Sequence, residues 1–251
     1  MNLSALQYSD NYSPAADIGV LVVSVVFCIL IRIAFIKRSR AFSIFYEILL
    51  LIPTAAVCHA VYHMLLRGRD FSASPAVYIL MSLHHILLYF VLYLYVYYLH
   101  ETVNAYGSMG KLFLNLARIG FFAGTVLEVL LYLGRLAMPA DEARSVHQFF
   151  GGFAMVYFYF VLLIAAVIGV LKTRVYRQVV VGVVATMCVS AGVMILQLLL
   201  REESYTTLTF MLPMFALLYL VHSNPYDLES GSVGMSAFED SVKYSYGKKR
   251  A

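Results

Sequence analysis

Residues 76–100 read AVYILMSLHHILLYFVLYLYVYYLH. The run contains no Asp, Glu, Lys or Arg, and it is bounded by Pro75 and Glu101. A helix that crosses a bilayer needs about 20 mostly apolar residues, so this stretch is long enough to span one. Its apolar residues show no alternation of period two, which excludes a barrel strand. Two adjacent histidines, His84 and His85, sit near its middle. Ionisable groups are costly in hydrocarbon and mark a functional site by default.

Six further runs of the same kind lie near residues 16–36, 42–66, 112–136, 148–171, 178–200 and 205–222. With 76–100 they predict an all-α integral membrane bundle of seven transmembrane helices over residues 1–222, followed by a polar segment, 223–251. The short connections carry the Gly, Pro, Asp, Lys and Arg that the spans lack. Composition agrees, with 62% hydrophobic residues, 13% charged residues and a mean hydropathy of +0.80. A soluble domain is about half apolar and about a quarter charged, so a soluble enzyme is excluded, and so is disorder. A net charge of +4 is too small to argue for nucleic acid. The expected environment is the lipid bilayer. Cys28, Cys58 and Cys188 fall inside apolar runs and suggest packing residues, not a disulfide framework. Pro53 and Pro213 each remove a backbone hydrogen bond within a span and should kink it. No internal repeat is visible, which weakens a repeat-built transporter.

Orientation follows from Lys and Arg. One side collects Lys37, Arg38, Arg40, Lys111, Lys172, Arg174, Arg177, Lys243, Lys248, Lys249 and Arg250. The other collects Arg67, Arg69, Arg135, Arg144 and Arg201, together with Asp10, Asp17, Asp70, Asp141, Glu142, Glu202 and Glu203. The N-terminus is therefore expected outside and the C-terminus in the cytoplasm. The first 15 residues have no basic region of a cleavable signal, so the first span should be retained.

Matched by depth, the polar residues of the spans form two groups. His59, His84 and Glu128 each fall roughly 7–9 residues from the outer end, about 10–13 Å deep. His63 lies one turn shallower than His59 on the same face. His84 and His85 are adjacent, so only one should point straight at that face. His59, His63, His84, His85 and Glu128 form the candidate sensing or ligand pocket. Their alternatives are plain interhelical hydrogen bonding and a metal site, zinc in the first place, using His59, His63 and His84, because imidazoles with a carboxylate suit zinc or iron. No cofactor is expected on the first two readings. Seven-helix hydrolases of the ceramidase and progestin-receptor kind place H-x-x-x-H on the last span with a Ser and an Asp. Here that span has only His222, at its end. The inner group is Arg32, Glu47 and Arg118, with Glu47 expected to pair with one of the two arginines.

Tyr93, Tyr95, Tyr97 and Tyr98 suggest an interfacial aromatic belt. Gly151, Gly152, Ala191 and Gly192 suggest close helix approach. The last span has no lysine for a retinal Schiff base. Asn224-Pro225-Tyr226 lacks the receptor-type spacing between Pro and Tyr.

Beyond residue 222 the composition turns polar. Ser236 and Glu239 have the spacing of a capping box, and Phe238, Val242 and Tyr246 share one helix face. The segment from Asp227 resembles the opening of GGDEF domains, Asp-x-Leu-Thr-Gly-Leu-x-Asn-Arg-Arg-x-Phe. Asp227, Ser230 in place of Thr, Gly231 and Phe238 fall at the family's spacing, over some 25 residues. Glu229, Ser232, Gly234, Met235 and Ser236 depart from it. The resemblance implies a seven-helix sensor ahead of a GGDEF-like output domain of cyclic di-GMP signalling, cut at Ala251 just after its first helix. It implies a bacterial inner (plasma) membrane, a homodimer and an unknown stimulus. Pro213, Asp227, Gly231 and Phe238 would relay the signal. The family's metal and substrate residues would lie beyond Ala251, so this chain carries no catalytic residue on that reading. A self-contained intramembrane metal hydrolase built on the outer histidines and Glu128, or a small transporter, are the alternatives.

Overall fold

The computed structural model describes residues 12–34, 40–67, 74–102, 107–172, 177–200 and 204–218. Every regular element among them is helical. In chain order these are α1 (Ala15–Ala34), α2 (Arg40–Arg67), α3 (Pro75–Thr102), α4 (Gly107–Gly134), α5 (Ala140–Lys172), α6 (Arg177–Leu200) and α7 (Thr206–Leu217). A 3-10 turn, Arg135–Ala137, follows α4. Asp17 lies in the first turn of α1 and Arg32 in its last, the charge order that a helix dipole favours. Pro75 opens α3, where its missing N–H costs nothing, and Ser74 Oγ accepts the Ala76 N–H at 3.3 Å.

Five helices are long and apolar enough to cross a membrane. The apolar parts of α6 and α7, Val181–Gln197 and Thr206–Leu217, are shorter. At 1.5 Å per residue, the latter covers about 18 Å. Of the seven predicted spans, five are thus supported among the described residues. The outward faces show why these helices need lipid. On α4, Ile119, Phe122, Val126, Val129, Leu130 and Leu133 are exposed, an apolar stripe where a soluble helix would be polar. This is the surface of an integral membrane protein.

α3 is the hub. It packs on α2, α4, α5 and α7, and 61% of its stretch Pro75–Glu101 is buried, against 17% of the α4 stretch Lys111–Ala137. Tyr95 and Tyr98 are buried inside the bundle, so these two tyrosines depart from the expected headgroup belt. The reason is packing. Tyr95 Oη donates to the Phe210 carbonyl of α7 at 2.6 Å, and Tyr98 packs against Phe45 of α2. Tyr93 and Tyr97 stack on one another in half-buried positions.

Pro213 lies within α7 and is buried. Its missing N–H frees the carbonyl of Thr209 one turn earlier. Ser190 Oγ of α6 donates to that oxygen at 2.7 Å. The bundle thus supplies from a neighbouring helix the hydrogen bond that α7 cannot make itself. The cysteines are free.

Candidate functional site

Two buried carboxylates organise the polar interior. The first is Asp17, on the opening turn of α1. Its Oδ2 accepts from His59 Nδ1 of α2 at 2.6 Å and from Tyr12 Oη at 2.5 Å. Its Oδ1 accepts from Thr207 Oγ1 of α7. Asp17 is fully buried. Nearby, the Ser13 N–H donates to Ser204 Oγ at 3.0 Å, so the chain just before α1 is tied to the chain just before α7, beside the Asp17–Thr207 bond between the two helices. The Tyr12 ring stacks on His63, with centroids 3.9 Å apart and planes 4° from parallel.

The second carboxylate is Glu128 of α4, also fully buried. Its Oε1 accepts from His85 Nδ1 of α3 at 2.9 Å, and its Oε2 from His147 Nε2 of α5 at 2.7 Å. Ser82 Oγ lies 3.2 Å from the same His147 nitrogen. Gly151 permits this approach. A Cβ there would stand 2.7 Å from both Glu128 Oε1 and His85 Nδ1. At Gly152 nothing lies within 4 Å.

His84 joins the two centres. Its ring stacks on His59 at 4.5 Å between centroids, its Nδ1 donates to the Ala55 carbonyl at 2.9 Å, and it lies 5.4 Å from the His85 ring. Both adjacent histidines therefore enter the polar interior. Successive residues on a helix point about 100° apart, so His84 meets α2 while His85 meets α4 and α5. A single layer results, running from Thr207 through Asp17, His59, His84, His85 and Glu128 to His147. It draws one side chain or more from α1, α2, α3, α4, α5 and α7.

The structure thus brings His59, His63, His84, His85 and Glu128 together. It adds Tyr12, Asp17, Ser82, His147 and Thr207, which sequence reasoning placed in no site. Among the described residues, one group of three His, Cys, Asp or Glu side chains holds its ligand atoms within 4.8 Å of one another: His85, Glu128 and His147. This differs from the triad His59, His63 and His84 expected for zinc. The inner residues are not drawn together. Arg32, Glu47 and Arg118 are exposed, and among the described residues no ion pair joins Glu47 to either arginine. The relay residues Asp227, Gly231 and Phe238 lie outside the described residues.

The layer must be interpreted from its own chemistry, because no protein-family model, curated protein or solved structure matches the chain.

Proposed function

We propose that the chain is a membrane-embedded input module whose buried histidine–carboxylate layer is the sensing element. One observation carries the reading: a continuous set of ionisable side chains joins five helices below the apolar surface, and the Thr207 hydroxyl ties in a sixth, α7. A proton, ion or ligand taken up by one ring is felt by the next, since His59, His84 and His85 stand within 4.5 to 5.4 Å of their neighbours. A stimulus with different affinity for two arrangements of the bundle shifts their populations. Asp17 and Thr207 link that layer to α7, and α7 leads to the segment that resembles a GGDEF opening. In this proposal all seven helices cross the membrane, with the N-terminus outside and the C-terminal segment cytoplasmic, as the Lys and Arg distribution favours.

The test uses the gene at its own locus with an N-terminal tag. A product much larger than 28.2 kDa is expected, and Glu128→Gln and His84→Gln should each abolish the change in cyclic di-GMP that the wild-type gene produces. A product of about that mass would remove the output domain. Variants that signal normally would remove the layer from sensing.

A further inference from the structure

We propose that His85, Glu128 and His147 bind one divalent first-row transition ion, zinc or iron(II), where α3, α4 and α5 meet. Two imidazoles and one carboxylate are a donor set these ions take, both in zinc enzymes and in non-haem iron sites. The three side chains come from three helices and are 5%, 0% and 1% exposed, so water does not compete for them.

Three observations favour an ion over a hydrogen-bonded cluster alone. First, Gly151 lets Glu128 Oε1 and His85 Nδ1 converge against α5, since a Cβ there would stand 2.7 Å from each. Second, Ser82 Oγ, 3.2 Å from His147 Nε2, offers an oxygen beside the same centre. Third, His147 Nδ1 is buried without a hydrogen-bond partner. The His147 ring proton can move from Nε2 to Nδ1, the His85 ring proton likewise shifts from Nδ1 to Nε2, and the two freed nitrogens then present their lone pairs to the ion. Metal bonds of about 2.0–2.2 Å set tetrahedral ligand atoms about 3.4 Å apart. The present contacts of 2.9 and 2.7 Å thus open by about 0.5 and 0.7 Å on loading. Asp17 offers no such set, because two hydroxyls and a single imidazole occupy it.

The site deepens the input reading, and its role as a stimulus rests on that reading. Its existence is decided by metal content alone, whereas the input reading is decided by the cyclic di-GMP response. The full chain is purified in detergent without chelator, one portion anaerobically, and its metals are counted by mass spectrometry. About one zinc or iron per chain is expected, lost in His147→Ala and Glu128→Gln and retained in His59→Ala. Zinc in the aerobic portion and iron in the anaerobic portion distinguish the two ions. Should His147→Ala fail to fold, His147→Cys loaded with cobalt(II) is the second variant. It should gain a sulfur-to-cobalt charge-transfer band that the cobalt-loaded wild type lacks. Protein that stays metal-free after incubation with zinc and with iron(II), or metal that leaves with His59 and not with His147, would overturn the assignment.

Discussion

Asp17 and Glu128 are both fully buried among histidines, yet they are satisfied by different chemistry. Asp17 takes two hydroxyls and one imidazole. Glu128 takes two imidazoles on its two oxygens. The first arrangement fastens: it joins the chain before α1 to α1, α2 and α7, and every donor is an ordinary hydrogen-bond partner. The second is the donor set proposed above for a metal ion, with Gly151 packed close against it. On that proposal, one bundle uses the same residue types for closure at one end of the layer and for binding at the other. Burial alone does not separate the roles. The identity of the partners does.

Substitutions can break this comparison, beginning with the largest effect. Asp17→Ala strands Tyr12 Oη, His59 Nδ1 and Thr207 Oγ1 together and should lower the unfolding free energy by about 3–5 kcal/mol, the scale for removing one partner of a buried pair. Unfolding in mixed micelles measures it, and Asp17→Asn should lose less because an acceptor remains. Gly151→Ala should cost about 1–3 kcal/mol as overpacking and should release the metal. Gly152→Ala is its control and should stabilise α5 by at most about 1 kcal/mol, through helix propensity. Equal effects at the two glycines would deny that Gly151 makes room for the Glu128 centre. Thr207→Val removes one hydroxyl at nearly constant shape and should cost about 1 kcal/mol, read in the same unfolding assay with metal content unchanged. Glu47→Gln, in the exposed inner group, should move stability by less than about 0.5 kcal/mol.

The apolar runs revealed most of the helices, because a window of hydropathy needs no knowledge of neighbours. The polar layer was half visible. His59, His84 and Glu128 could be matched by depth along separate spans. His147 was lost because α5 begins at Ala140, eight residues before its apolar run. The opening ADEARSVH is polar enough to resemble a loop by hydropathy. Pro139 followed by Asp141 and Glu142 was the available signal, since a helix start favours a proline and early acids. The Ala143 N–H indeed bonds the Pro139 carbonyl at 2.9 Å. Asp17 was counted only as an outer charge. Nothing along the chain tells a first-turn aspartate in solvent from one enclosed by a helix 190 residues later. Tyr95 and Tyr98 show the same limit, since their burial depends on where α7 and α2 pack.

That separation has a consequence for biosynthesis. Thr207 is made 190 residues after Asp17, and Ser204 arrives 191 residues after the Ser13 amide it bonds. As the ribosome delivers helices in order, α1 and α2 enter the bilayer with an aspartate that lacks its final donor. Its only early partners are Tyr12 and His59. α7, which emerges long after α1, completes the environment of α1. A chain halted before residue 204 would display an unfinished polar face within the lipid, which offers membrane quality control a mark distinguishing incomplete from finished protein.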